Sequence, residues 1–409
     1  NVIIGRDARI SGIKISKIIK ETLVREGVDV IELGLVTTPT LGISVKHLNA
    51  AGGIMVSASH NDEKWNALKF LNNNGEFLSP ENVALIIKEK KRYFTGNNIK
   101  GKLIKYKSAL QDHIDLILFQ DFFDLKKVQS KKLAVVVDGI NSVGGIAIPE
   151  FLKQIGVKNI IEINCKPDGK FSHNPEPLPE NITQICDVLK KGNYDFGIVV
   201  DPDADRLCLV DENGIPFGEE YTLVAAAEYL IKKTKNPVTC SNLSSSLALK
   251  IITENRGGKH YASPVGEINV VEQMKKVNAT IGGEGNGGVI YPKTHYGRDS
   301  LIGIALVVSL LLERNITLSE LKKSLPEYHI TKEKMFYNGK VENIIEFFKA
   351  EYSDVQLNTS DGVRVDFEDS WAHIRKSNTE PVIRIISEAK SKIKSQEISK
   401  KIISKLRLL

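Results

Sequence analysis

Cysteine is scarce in this chain: Cys165, Cys186, Cys208 and Cys240 are the only four among 409 residues, and no two form a C-x-x-C pair. That spacing excludes a zinc cluster, a redox dithiol and a disulfide-stapled scaffold, and it fits a reduced, cytoplasmic setting. Long apolar runs are also lacking. The longest, Leu301 to Leu312, carries one Ser and falls short of the ~20 residues that cross a bilayer, so no membrane partner is expected. Neither charge sign dominates: 56 Lys and Arg against 50 Asp and Glu leave +6. The basic residues gather in Lys390–Arg407, where Lys and Ser alternate with Ile and Leu as on an amphipathic helix. No aromatic stacking motif accompanies them, which argues against a nucleic-acid partner.

What is present is core-forming material: 42% hydrophobic and 26% charged residues over 409 positions, the composition of a globular protein. The length allows several domains of roughly 100–200 residues each. One plan, a β-branched strand, a small-residue turn, an amphipathic helix, a Gly and another strand, recurs from Val2, from Leu133 and from Val238. Alternation of this kind predicts α/β domains with mixed, mostly parallel sheets. After Pro326 short strands bracket helices without the plan, as in an α+β module. The expected architecture is three related α/β domains, 1–108, 109–212 and 213–325, and a C-terminal α+β domain, 326–409, around a central cleft. The seams are expected near Tyr106–Gln111, at the turn Asp211–Gly214 and at Pro326.

Four loops could carry chemistry. Asp201-Pro-Asp203-Ala-Asp205-Arg206 lies between two apolar strands, and carboxylates at alternate positions in a turn can converge on one hard divalent cation. An EF-hand count begun at Asp201 fails, because Arg206 stands where that loop needs Gly. The Asp-x-Asp-Gly-Thr pattern of aspartyl-nucleophile phosphatases fails at Pro202 and Ala204. In Ser57-Ala-Ser59-His60-Asn61, at another strand end, a hydroxyl can serve as nucleophile or, once phosphorylated, as phosphoryl donor. Arg375-Lys-Ser377-Asn378-Thr379-Glu380-Pro381, with Arg384 beyond, assembles guanidinium and hydroxyl donors suited to a phosphate dianion. Gly282-Gly-Glu284-Gly-Asn286-Gly-Gly288 permits close backbone approach to a ligand, yet it matches neither nucleotide-binding glycine motif.

Taken in order, the four loops resemble those of the α-D-phosphohexomutases, which interconvert hexose 1- and 6-phosphates, and the resemblance covers nearly the whole chain. It selects Ser59 as the phosphorylated residue, with His60 beside it. It implies that Asp201, Asp203 and Asp205 hold Mg²⁺ together with phospho-Ser59. Glu284 and Asn286 fall in the sugar loop, and Arg375, Ser377, Asn378, Thr379 and Arg384 in or beside the phosphate loop. Arg6 and Lys69 take the places of basic active-site residues, and Arg206 adds positive charge. The implied reaction passes through a hexose 1,6-bisphosphate, which also acts as activator, and the implied partner is a hexose phosphate.

Asp62 replaces a common Pro, Asn286 a common Ser and Gly288 a common His that assists proton transfer. A segment the family carries before the first strand is missing ahead of Asn1, so the front is expected to be truncated. Phosphoglucosamine is the favoured substrate, with phosphomannose and phosphoglucose as alternatives. A metal-dependent sugar phosphatase and a non-catalytic sugar-phosphate-binding paralogue are the rival classes. Oligomeric state is not legible.

Overall fold

The computed structural model of the chain describes residues 1–89, 100–337, 339–377 and 382–409. Its first unit runs β1 (Val2–Arg6), α1 (Ile10–Arg25), β2 (Val30–Leu35), α2 (Thr38–His47), β3 (Gly52–Val56), β4 (Leu68–Leu71), α3 (Pro80–Glu89) and β5 (Leu103–Lys105). Helices α4 (Ala109–Leu118) and α5 (Leu125–Ser130) lead into the second: β6 (Ala134–Asp138), α6 (Gly144–Gln154), β7 (Asn159–Ile163), α7 (Thr183–Lys191), β8 (Phe196–Val200) and β9 (Leu207–Asp211). The third comprises α8 (Glu219–Ile231), β10 (Val238–Asn242), α9 (Leu247–Glu254), β11 (Lys259–Ser263), α10 (Glu267–Val277), β12 (Ile281–Glu284), β13 (Gly288–Ile290), α11 (Ser300–Arg314) and α12 (Leu318–Ser324). The last is β14 (His329–Phe336), α13 (Val341–Glu351), β15 (Gln356–Asn358), β16 (Val363–Asp366), β17 (Trp371–Lys376), β18 (Val382–Ala389) and α14 (Lys392–Leu406).

The first three sheets share one strand order. Each has its first strand in the middle, its second on one side, its third on the other and an antiparallel strand beyond: β2-β1-β3-β4, β7-β6-β8-β9 and β11-β10-β12-β13, with β5 added outside β2. The connection from the third strand to its antiparallel neighbour carries Ser57–Asn61 in the first unit, Asp201–Arg206 in the second and Gly285–Gly287 in the third. Three chemically different loops are therefore the same turn of one plan, at the carboxyl end of a parallel strand, where open α/β sheets bind ligands.

Residue choice explains the elements. Strand β8 reads Phe-Gly-Ile-Val-Val and is buried throughout, as a parallel strand with both faces covered must be. Helix α11 is the long apolar run of the sequence, buried from Ser300 to Leu312. Being apolar all round, it can only be a central helix, and it packs on α8 in a core that continues into the second unit through Ile198, Leu209 and Phe151. The expected seam at Asp211–Gly214 is a turn across which this core runs unbroken, because Ile215 and Phe217 fold back on Asp211 and Leu209. The last unit is an antiparallel sheet, β14-β18-β17-β16-β15. Its Val363, Ile374 and Ile385 pack under α13 and α14, and the basic segment forms α14 as its amphipathic pattern requires.

Candidate active site

Ser59 follows β3 in a left-handed conformation, φ 51°. A residue with a Cβ pays roughly 1–2 kcal/mol to stand there, so the loop must be held. Ser57 Oγ accepts from Ser59 N at 3.0 Å. The buried Arg9 guanidinium donates to the carbonyl of Ser59 at 2.7 Å and to that of Asn61, and Asp7 anchors it from behind. Ser59 Oγ is thereby aimed across the units and donates to Asp201 Oδ2 at 2.8 Å.

Asp201, Asp203 and Asp205 are fully or almost fully buried, and one ligand oxygen from each lies within 4.8 Å of the others. Asp201 Oδ1 accepts from the backbone N–H groups of Asp205 and Arg206, both at 3.2 Å. Lys69 Nζ stands 2.6 Å from Asp203 Oδ2 and 3.5 Å from Asp205 Oδ2, and Arg298 Nη2 donates to Asp205 Oδ2 at 2.7 Å. Asp203 Oδ1 and Asp205 Oδ1 are buried without any partner. Buried carboxylate oxygens are not left bare without cost, and a hard divalent cation with oxygen ligands fits this donor set. Burial and then Asp205 and Asp203 push Asp201 well above the usual carboxylate range. Burial presses Asp203 the same way, but the charge and hydrogen bond of Lys69, then Thr38, outweigh it and hold Asp203 low.

Next to the trio, Arg206 Nη2 lies 2.8 Å from His60 Nδ1, and Arg206 Nη1 is 3.4 Å from Glu176. Burial, and then Arg206, brings His60 down to about 4. The ring is neutral near neutral pH, and its Nδ1 can accept a hydrogen bond from the guanidinium. In the third unit, Glu284 is engaged by donors of the chain itself: Oε1 by Asn242 at 3.0 Å and Gly266 N at 3.2 Å, Oε2 by Arg298 at 3.2 Å. Asn286 Oδ1 is buried and unpartnered. Gly287, at φ 87°, brings its carbonyl to Leu207 N, where a Cβ would stand 2.4 Å from Leu207 O. The glycine-rich loop therefore rests on the strand that follows the acidic loop.

On the last unit, Arg375 Nε donates to Asp361 Oδ2 at 3.0 Å, and Asp361 Oδ2 also accepts from Val265 N of the third unit at 3.0 Å. Arg384 is exposed, directly opposite Arg375 in the β17–β18 ladder. Ser377 is buried, its N–H bonded to Val382 O at 2.9 Å. Asn378 and Thr379 lie outside the described residues.

The structure thus brings together Ser59, His60, Lys69, Arg206 and the three Asp. Arg6 donates instead to the carbonyl of its neighbour Asp7, and the arginine that grips the serine loop is Arg9, three residues further on. Arg9, Thr38, Glu267 and Arg298 were missed by the sequence reading. A faint signal existed for two of them: Arg9 is an arginine in the turn after the first strand, and Arg298 precedes the Asp that caps the most apolar helix.

Comparison with known proteins agrees with this geometry. Models described as phosphoglucomutase/phosphomannomutase alpha/beta/alpha domains I, II and III match residues 1–95, 111–214 and 218–328, and the model of the C-terminal domain matches 337–405. A phosphoglucomutase/phosphomannomutase of Thermococcus kodakarensis is 32% identical over 97% of this chain and 87% of its own length. A phosphoglucosamine mutase of Methanococcus aeolicus is 31% identical over 98% of this chain and 90% of its own. The crystal structure of a phosphoglucomutase/phosphomannomutase family protein from Burkholderia thailandensis superposes with a TM-score of 0.87 at 25% identity, covering 100% of this chain and 89% of that one. On this sequence similarity, along almost the entire length and through all four domains in order, the chain belongs to the phosphoglucomutase/phosphomannomutase family of phosphohexomutases, which are isomerases.

Proposed function

We propose that the chain interconverts the 1- and 6-phosphates of a hexose through a phosphoserine at Ser59, with glucosamine phosphate as preferred substrate. The observation that carries this reading is the 2.8 Å approach of Ser59 Oγ to Asp201 Oδ2, in a cluster that leaves two buried carboxylate oxygens without partners. Asp201, Asp203, Asp205 and a phosphoryl oxygen on Ser59 would hold Mg²⁺, whose charge, when bound, offsets that of the phosphoryl group in transfer.

The chain's own groups supply the rest. Lys69 and Arg298 add positive charge beside the acidic trio, where charge on the transferring group develops. Neutral His60 keeps the Arg206 guanidinium turned toward the serine loop. Arg375, Ser377 and Arg384, with Asn378 and Thr379 of the same sequence segment, take the phosphate the substrate already carries. The first transfer yields a hexose 1,6-bisphosphate. After reorientation its other phosphoryl group returns to Ser59 and the isomeric monophosphate leaves. Added hexose 1,6-bisphosphate would activate the protein by phosphorylating Ser59.

Preference for glucosamine phosphate is supported by the unpartnered acceptor Asn286 Oδ1, close to Glu284. A C2 ammonium donates to such an acceptor and is also attracted by the carboxylate, whereas a C2 hydroxyl donates without that charge attraction. The name of the Methanococcus aeolicus relative points the same way.

Intact-mass measurement with and without Ser59→Ala tests the phosphoenzyme. The expected result is loss of one phosphate and of isomerisation together. Undiminished isomerisation in Ser59→Ala overturns the reading, and net phosphate release without isomer identifies a phosphatase. Side-by-side kcat/KM on glucosamine, glucose and mannose phosphates tests the substrate; equal values for all three would remove the preference.

A further inference from the structure

The carbonyls of the metal loop are gripped one by one. Ser142 Oγ donates to Pro202 O at 2.5 Å, the Thr38 backbone N–H to Asp203 O at 3.0 Å, and Ser300 Oγ to Ala204 O at 2.7 Å. Ala204 itself is left-handed, φ 52°, a conformation a Cβ-bearing residue keeps only when its surroundings impose it. Two of these three donors are the first residues of helices, Thr38 of α2 and Ser300 of α11. The same two helix starts hold the loop's side chains. Thr38 Oγ1 donates to Asp203 Oδ2, and Arg298, just before α11, donates to Asp205 Oδ2 at 2.7 Å. Where Asp203 Oδ1 and Asp205 Oδ1 come to rest therefore depends on how far the start of α2 stands from the start of α11.

One side chain spans that gap. His113 of α4 is fully buried; its Nδ1 lies 2.9 Å from Thr40 Oγ1 and its Nε2 2.8 Å from Asp299 Oδ2. Thr40 Oγ1 is 2.7 Å from Thr37 Oγ1, and Thr37 is the N-cap of α2. Asp299 is the N-cap of α11, with Oδ1 accepting from Leu301 N at 2.9 Å. The imidazole joins the cap of one helix to the cap of the other, and each helix holds one ligand of the trio.

We propose that His113 is a positioning residue for the cation site, acting through Thr40 and Asp299 as a rigid strut that sets the separation of the two metal-loop clamps. A planar ring with two opposed nitrogens is suited to this: it reaches both caps at once with one rotamer. An Asn can reach only one of them, leaving the other buried polar group unpaired. Groups that orient metal ligands from behind typically govern metal affinity by about 10- to 100-fold. The inference rests on the reading of the Asp trio as the cation site.

The test is Mn²⁺ binding to the full-length, dephosphorylated protein, followed by the electron paramagnetic resonance of free Mn²⁺, for wild type, His113→Asn and Thr40→Val. Thermal unfolding without metal and binding of glucose 1-phosphate are measured alongside. Thr239→Val serves as control, since it breaks a comparably buried bond to Thr253, 2.8 Å long, within the third unit. His113→Asn is expected to weaken Mn²⁺ by about tenfold and Thr40→Val, which cuts one arm, by a few fold. Glucose 1-phosphate affinity should hold within twofold in both. The control is expected to lose thermal stability with Mn²⁺ affinity intact. Unchanged Mn²⁺ affinity in His113→Asn overturns the strut, and so does a control that loses Mn²⁺ affinity in proportion to its stability. Should His113→Asn fail to fold, Thr40→Val decides alone, and an unchanged affinity there overturns the strut. A wild type that binds no Mn²⁺ overturns the reading of the trio and the strut with it, a result distinct from wild type and variants binding equally well.

Discussion

The acidic loop and the arginine-bearing sheet are built on opposite plans. Around Asp201, Asp203 and Asp205 stand Glu267 and Glu284, bridged by Lys69 and Arg298, with two carboxylate oxygens still unpartnered. On the last sheet, Lys334, Arg384 and Arg375 stand abreast on β14, β18 and β17, and Arg364 pairs with His373 beside them. Like charges directly opposite one another destabilise a ladder. Arg375 is offset by Asp361 and Arg364 by Asp366, whereas two oxygens of the acidic trio keep no partner; the acidic group suits a cation and the basic face an anion. They also differ in how they are held. The acidic loop is fixed by contacts from three units, over sequence separations of 134 for Lys69–Asp203, 165 for Thr38–Asp203 and 93 for Arg298–Asp205. The basic region is a few adjacent strands of one sheet, joined to the third unit by Asp361–Val265, Ser244–His373, Leu247–Glu388 and Arg364–Leu243. The first is over-determined, as the fixed reaction centre proposed above requires. The second is seated on its neighbour by a seam of polar contacts, Lys332–Glu219 among them.

The division is broken most severely at its acidic side. Asp203→Asn is expected to lower kcat by about 10³-fold or more, since it removes both a charge and a ligand position from a preorganised site. Hexose phosphate affinity, measured calorimetrically, should change by less than about threefold. An equal loss of turnover and of binding would show that the two regions are one. Arg375→Ala is the converse. It removes a charge-assisted phosphate contact worth about 1.5–3 kcal/mol, so substrate binding should weaken by roughly 10- to 100-fold while Mn²⁺ affinity stays put. A shift in Mn²⁺ affinity comparable to the shift in substrate affinity would contradict the separation.

Legibility in the sequence follows the same division between local and distant. The serine loop and the Asp trio are contiguous segments, each a turn after an apolar strand, and their residue types could be read together; the Arg375–Pro381 segment is contiguous too, and part of it lies outside the described residues. Three units of one plan were equally readable, because β-branched strands and glycine-ended helices recur from Val2, Leu133 and Val238. What could not be read is which distant residue completes each loop. Arg6 and Arg9 are both arginines of one turn, and only the fold decides that Arg9 faces the serine loop. Nor could it be read that Glu284 is engaged by Asn242, Gly266 and Arg298 while Asn286 retains an unpartnered oxygen. His113 is one apolar-helix histidine among others until α2 and α11 are seen to meet on it.

A milder probe separates the regions by pH. His373 Nδ1 lies 2.8 Å from Ser244 Oγ and Nε2 2.7 Å from the Asp361 carbonyl. Burial, then Arg364 and Arg375, hold the docked ring at about 4 against an ordinary 6.5. Protons therefore bind the undocked ring first. The seam is at full strength above about 6.5 and weakens as pH falls, with the loss complete near 4. Amide hydrogen exchange in 243–247 and 361–376 should quicken between pH 7.5 and pH 5 relative to 134–138, after correction for the intrinsic pH dependence of exchange. His373→Asn, which cannot titrate, should abolish that difference; if the difference persists, another group controls the seam.

The smallest effect is the sharpest comparison, because the same kind of bond is cut in both regions. Thr37 caps α2 by accepting from Thr40 N at 3.1 Å, and Ser391 caps α14 by accepting from Lys394 N at 3.2 Å. Replacing either by Ala should cost about 1 kcal/mol of stability, the ordinary worth of an N-cap. The consequences then diverge. Thr37 also bonds Thr40 Oγ1, and α2 carries Thr38 onto Asp203, so Thr37→Ala should loosen one clamp and weaken Mn²⁺ by about twofold, a fraction of what removing an orienting group outright costs. The Ser391 cap lies on the far side of its sheet from Arg375, at the start of a helix that packs against Ile385 and not against the arginine face. Ser391→Ala should therefore lower the unfolding midpoint and leave both Mn²⁺ and hexose phosphate affinity unchanged. If the two caps behaved alike, stability alone would explain the metal affinity, and the acidic loop would owe nothing to the placement of α2.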